Sequence, residues 1–351
     1  MISQTEKSHE MSRTGPVRRE NAPVFVVGCP RSGTTVLYHM LLSAGGFAVY
    51  RSESNVFNLL VPRFGGMRSV SDRKALMDAW LHSTLFRVSG LDGAGVTRRI
   101  LEECHGGGDF LRIVMGEVAR SQKVSRWGDC TPEHLLCMQE IKRQIPDALF
   151  IHIIRDGRDV ALSYSKQGWA YPLRWDRGRQ VDVAGLYWHW MVGRGREAGK
   201  HLGGDYQEVR FEDLVTHPRE TLSGLTRFID HDLDYDRIQC AGIGSVSKPN
   251  SSFGIEEGSF EPVGRWKSKM TAEEAASFEA LVGDRLEELG YPLAAKKRAS
   301  SFATLRMRAI YFTMFQAKWW LKAHTLLGRR VKLGRILLEN EASDGPQGTH
   351  C

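Results

Sequence analysis

Two short apolar runs and a third, more polar strand-like stretch punctuate the chain, each closed by residues that stop a strand. Pro23-Val24-Phe25-Val26-Val27 is apolar without alternation, rich in β-branched side chains, and followed by glycine. A run with no polar face predicts a strand buried on both sides, as in a parallel sheet. Leu149–Ile154 (LFIHII) repeats the pattern and runs into Arg155-Asp156-Gly157-Arg158; residues 206–211 form the third and lead into Glu212-Asp213-Leu214. Elsewhere the spacing turns helical. Val36, Leu37, Met40 and Leu41 predict a helix over 35–43, stopped by Gly45 and Gly46. Residues 55–122 are helix-like and glycine-punctuated, and are expected to cap the ligand edge of the sheet. A helix is expected over Pro218–Ile229, a Gly/Ser-rich loop over 242–262, and an amphipathic helix over 271–289 with Thr271 as N-cap and Glu273 and Glu274 in its first turn. The stretch ahead of Glu53 is expected to add a strand. Strands separated by helices predict an α/β fold: a doubly wound, mostly parallel sheet with a P-loop-like strand–loop–helix and a helical cap.

The chain is expected to divide into a disordered lead-in (1–22), one domain over 23–291 with its cap at about 55–125, and an extension over 292–351. Of the 351 residues, 42% are hydrophobic and 25% charged, ordinary for a globular protein with a sizeable core. No apolar run reaches the length of a membrane-spanning helix, and the N-terminus lacks the shape of a signal peptide. Six scattered cysteines with no C-x-x-C pair suggest neither a zinc site nor a disulfide framework, so a cytoplasmic setting is expected.

The net charge of +7 changes meaning once located. Residues 289–338 hold eleven Lys or Arg and no Asp or Glu, which leaves the rest of the chain at −4. The basic character belongs to the C-terminal segment, and no nucleic-acid footprint over the domain is implied. That segment interleaves cations with Tyr311, Phe312, Phe315, Trp319 and Trp320. An interfacial helix over 302–338, peripheral at a membrane, and a helix packed on the domain with a solvated basic face both fit it.

The candidate chemistry starts in VVGCPRSGTT, residues 26–35. Gly28 and Gly33 bracket four residues, the spacing of a loop that aims backbone N–H groups and a helix N-terminus at an anion. A nucleotide triphosphatase would follow with lysine and a hydroxyl; here Thr34-Thr35 follow, and the cation stands earlier, at Arg31. Its planar fork suits an oxyanion. A single phosphate carrying one transferable anionic group fits better than ATP. The second constellation, Arg155 to Ser163 (RDGRDVALS), leaves a strand at its carboxyl end, where Arg155 and Ser163 can close on a second phosphate. Arg158 and Asp159 are read there as surface or capping pairs. Val263-Gly264-Arg265-Trp266-Lys267 offers cations and an aromatic to fold over a nucleotide.

These pieces, in this order, resemble the sulfotransferases that use 3′-phosphoadenosine 5′-phosphosulfate (PAPS). GCPRSGTT looks like the family's 5′-phosphosulfate loop and IIRDGRDVALS like its 3′-phosphate motif; VRFEDLVTHPRETL and VGRW resemble later landmarks. The resemblance covers about 23–291. It implies sulfuryl transfer from PAPS to a hydroxyl or amine of a glycan, lipid, peptide or small alcohol. Arg31, Ser32, Gly33, Thr34 and Thr35 would cradle the phosphosulfate, Arg155 and Ser163 the 3′-phosphate, and Arg265 joins them. No metal is expected. Glu53 stands near the catalytic glutamate of tyrosylprotein-type sulfotransferases and is the expected base, with His134 and Asp129 as second choices. The histidine base of the cytosolic branch is absent; its place falls near Pro132. Cys130 stands where the family usually has a lysine that neutralises the leaving group, and Phe211 where relatives often have tyrosine. A P-loop kinase or hydrolase stays open as an alternative, though without its lysine or a Walker-B carboxylate. So does a catalytically inactive nucleotide-binding relative.

Overall fold

The computed structural model describes residues 19–241, 262–294 and 302–333. At its centre lie four parallel strands, β1 (Val24–Gly28), β2 (Gly128–Asp129), β3 (Leu149–Ile154) and β4 (Tyr206–Arg210), in the order β2-β1-β3-β4. Every residue of β1 and β3 is buried, which is why neither run alternates. Their side chains serve two cores in turn. Val24, Val26, Ile151 and Ile153 pack with α1 (Thr34–Ser43) on one face; Phe25, Val27, Phe150 and Ile154 belong to the core on the other. That second core is built on α2 (Gly157–Lys166) and α3 (Gln180–Lys200), while α4 (Pro218–Ile229) covers the first face with Leu222 and Leu225. Helices on both faces make the sheet doubly wound, as the spacing of the runs predicts.

Two strand expectations need correction. The stretch ahead of Glu53 does not add a strand; it makes a single parallel bridge, Phe47 to Arg126. Side chains satisfy the backbone beyond it: Gln122 bonds both the N–H and the carbonyl of Val49, and the Tyr38 hydroxyl donates to the Tyr50 carbonyl at 2.8 Å. The fourth strand is β2 instead, two residues long and one of them an aspartate, too short to show any hydrophobic period.

Residues 55–122 are largely helical, with helices at Val70–Leu81, Thr84–Ser89, Gly93–Glu103 and Gly107–Ser121. The helix α5 (Ala272–Glu288) starts at Thr271, where a reciprocal capping box with Glu274 holds its first turn. The first 18 residues, and the expected 242–262 loop apart from Pro262, lie outside the described residues. The extension contributes α6 (Phe302–His324), whose Tyr311 is fully buried. No helix among the described residues is long and apolar enough to cross a membrane.

Candidate active site

All four strands point their carboxyl ends at one edge. β2 and β3 flank β1 on opposite sides, and the helices that follow β1 and β3 leave over opposite faces. A crevice opens where the connections diverge, and ligands of open α/β sheets bind there. The register pairs Gly28 with Ile153 and Ile154 with Arg210, so the 29–33 loop, Arg155 and Phe211 all emerge at this crevice.

The loop after β1 is held by close packing. A Cβ on Gly28 would lie 2.6 Å from the Ile153 carbonyl oxygen. Gly33 has φ 98°, and a Cβ there would meet the Phe211 ring at 2.3 Å. Arg31, which is not glycine, also takes a left-handed backbone at φ 76°. Such strain in a non-glycine residue costs about 1 kcal/mol and is characteristic of functional loops. The turn buries Ser32 completely and leaves its Oγ without a hydrogen-bond partner. Nor does any side chain cap α1, whose N-cap is Gly33. Uncapped N–H groups at a helix start, next to an orphaned buried hydroxyl, make a cradle for an anion. Thr34 is buried within it; Thr35 is exposed at its mouth.

Arginines from three distant segments close the cradle. Arg31 Nε donates to Ser163 Oγ at 2.9 Å. Arg155 Nη1 donates to the Arg31 carbonyl at 3.4 Å and Nη2 to the Pro262 carbonyl at 2.6 Å, while its guanidinium lies 4.3 Å over the Phe211 ring. One face of Phe211 is thus already taken. Arg31 is held below the usual arginine range by burial and then by Arg155; Arg265 is lowered by burial, then by Arg155 and Arg31, with Asp159 opposing. Mutual repulsion among three guanidiniums is relieved when an anion enters between them.

Arg158 and Asp159 are not surface pairs. Asp159 is 3% exposed and its carboxylate accepts from the N–H groups of Gly264 (2.9 Å) and Trp266 (2.8 Å), besides pairing with Arg155 at 3.7 Å. It ties Arg265 to α2. Arg158 is 1% exposed, pairs with Asp156 (2.8 Å) and Glu279 (2.7 Å), and lies 3.7 Å over the Trp266 ring. Both are buried because the 264–266 turn and α5 fold over them, partners more than a hundred residues away that local spacing does not reveal.

The three candidate bases differ sharply in surroundings. His134 is fully buried with both ring nitrogens engaged: Nε2 accepts from the Phe57 N–H (3.1 Å), so Nδ1 donates to Asp129 Oδ2 (2.8 Å). Asp129 also accepts from the Thr131 N–H and hydroxyl. Against its burial, His134 and the hydroxyls of Ser54 and Thr131 hold its carboxyl below the ordinary range. A carboxylate so satisfied is a poor proton acceptor. Glu53 is different: water reaches its side chain, yet protein crowds it, and burial followed by the charges of Asp129 and Glu133 pushes it up to about 7, with Asn55 opposing. Its backbone is fixed from behind, since Asn55, at φ 52°, donates from Nδ2 to the Glu53 carbonyl and from N–H to Thr131 Oγ1. Nothing in the local sequence around Asn55 and Thr131 announces this support.

Cys130 lies between these groups, hydrogen-bonded to Thr34 and close to Asp129 and Glu53; burial and then those two charges raise its thiol well above the usual range. It stays a neutral thiol at the cradle's edge, not a nucleophile. At pH 8, iodoacetamide is expected to label exposed Cys240 and to leave Cys130 unmodified in the folded protein, as peptide mass mapping would show. Rapid labelling of Cys130 would contradict this environment. Among the described residues, no group of three or more His, Cys, Asp or Glu is placed to hold a metal ion.

Residues 23–235, more than half of the chain and the span that carries the cradle, Glu53 and Arg155, match the family described as "Sulfotransferase family". The chain belongs to the sulfotransferase family. Nodulation protein NoeE of Sinorhizobium fredii is 24% identical over 338 residues, covering 84% of this chain and 73% of that protein. Among solved structures, the sulfotransferase domain of the Synechococcus PCC 7002 olefin synthase superposes with a TM-score of 0.44 at 16% identity, over 83% of this chain and 95% of that one. Retinol dehydratase in a complex with retinol and PAP gives 0.40 at 17% identity, over 79% and 84%. Sulfotransferase membership frames the chemistry of the chain as sulfuryl transfer.

Proposed function

We propose that this sulfotransferase moves the sulfuryl group of PAPS to a hydroxyl or amine acceptor and releases adenosine 3′,5′-bisphosphate. The observation that carries the reading is the 2.9 Å bond from Arg31 to Ser163, which joins two anion-binding motifs 132 residues apart at one crevice. A donor with two separated phosphate positions suits such a junction, whereas the γ-phosphate of ATP would find threonine in place of the usual lysine. In this reading Arg31, Ser32, Gly33, Thr34 and Thr35 hold the 5′-phosphosulfate. Arg155 and Ser163 take the 3′-phosphate, and Arg265, positioned by Asp159, folds over the nucleotide. Glu53 accepts the acceptor's proton. Charge developing on the leaving oxygen falls to Arg31 and the loop donors, because Cys130 is neutral. A hydroxyl on a glycan, lipid, peptide or small alcohol would meet these requirements.

Titration calorimetry tests the donor. Adenosine 3′,5′-bisphosphate is expected to bind and ATP–magnesium to bind far more weakly. Arg155→Ala should lose about 10- to 100-fold in bisphosphate affinity, the worth of a charge-assisted hydrogen bond. A preference for ATP would overturn the reading. Transfer of radiolabelled sulfate from PAPS to an acceptor panel then separates an enzyme from a nucleotide-binding relative, the second reading that neutral Cys130 favours.

A further inference from the structure

The helix α6 has two unlike faces. Met307 and Tyr311 are buried on its inner face, and Phe312, Phe315 and Trp319 pack against the core. On its outer face Phe302, Arg306, Ala309, Thr313, Ala317 and Trp320 recur every three or four residues, all exposed. The helix contains no Asp or Glu. A second segment is tied to it: the Tyr311 hydroxyl accepts from the Leu173 N–H and donates to Asp176, both at 3.0 Å. Beside that tie Trp169, Tyr171 and Trp175 are 43, 71 and 72% exposed, among Arg174 and Arg177. The turn after α6 exposes Leu326 and Leu327 next to Arg329 and Arg330. Nine of the eleven large hydrophobic residues exposed among the described residues fall in α6, the turn after it and the 169–177 segment.

Charge decides what such a surface fits. Residues 289–338 carry eleven cations and no acid, and Arg308, Lys322 and Arg329 pair with carboxylates of the domain, Asp284, Glu133 and Asp72. Arg306 stands on the outer face, and Lys318 is exposed further along the helix. Tryptophan and tyrosine rings favour the headgroup level of a bilayer, and lysine and arginine favour its anionic phosphates. We propose that α6 and the 169–177 segment together dock the protein on an anionic lipid bilayer, lying in the interface without crossing it.

Co-sedimentation of the full chain with phosphatidylcholine vesicles, with and without phosphatidylglycerol, tests this. Partition onto the anionic vesicles is expected to be at least about tenfold stronger and to fall as salt screens the charges. Arg306→Glu with Lys318→Glu should remove that preference. Tyr171→Ser with Trp175→Ser should weaken partition about tenfold. All four side chains are exposed and lie outside the candidate site, so unchanged bisphosphate binding and circular dichroism verify the fold. Equal partition on neutral and anionic vesicles would overturn the proposal. So would a dimer that the same substitutions dissociate, with no vesicle binding, because the face would then meet a second copy.

Discussion

Replacing Glu53 with glutamine is expected to lower sulfuryl transfer by about 10²- to 10⁴-fold, the usual worth of a positioned general base, while bisphosphate affinity stays at its original value. The amide keeps the shape of the carboxylate but cannot take a proton, so binding and turnover should separate. The pH dependence carries a second signature. Burial and the neighbouring charges of Asp129 and Glu133 place Glu53 at about 7. A base works only when deprotonated, so turnover of the unmodified protein should climb as pH rises through about 7 and level off above it. In the glutamine variant the residual rate should lose that limb. Retained turnover in the variant, or a flat profile across neutral pH, would remove Glu53 from the role and return attention to Asp129, whose own carboxyl is held low.

Arg158→Met is expected to cost about 3–5 kcal/mol of folding stability, read as a lowered urea midpoint. The guanidinium is enclosed, pairing with Asp156 and Glu279 and donating to the Pro292 carbonyl at 3.0 Å. Removing it strands two carboxylates where water cannot compensate them. The loss should spread to the site. Arg158 underlies Trp266, Asp156 donates its N–H to Glu212 at 2.9 Å, and Glu212 accepts from the Tyr291 hydroxyl, so both the 264–266 turn and the exit of β3 rest on this network. Arg158→Lys should not restore it, because an ammonium cannot span both carboxylates as the planar fork does. A cost below about 1 kcal/mol would show that the network carries little of the stability.

What could be read along the chain differs by residue. The runs at 23–27 and 149–154 announce buried parallel strands, since a strand enclosed on both sides must be apolar at every position. Gly28 and Gly33 mark the loop because a close approach and a positive φ exclude side chains there. Thr271 with Glu274 marks a helix start because capping is a contact between near neighbours. By contrast, β2 is two residues long and has no period to detect, and the stretch ahead of Glu53 looks strand-like but is diverted by Gln122 and Tyr38. Arg158 and Asp159 look like charges on a solvated helix and prove to be buried keystones.

By itself, then, the sequence determined the doubly wound α/β architecture and the glycine-bracketed turn after the first strand, because period, glycine placement and capping act over a few neighbouring positions. The tertiary structure alone decided which charges are buried, how Asp159 holds the 264–266 turn, why Glu53 and not Asp129 is poised near neutral pH, and which face of α6 meets solvent. Those properties depend on desolvation and on Coulomb fields from groups brought together across more than seventy residues of chain, distances over which no local pattern extends.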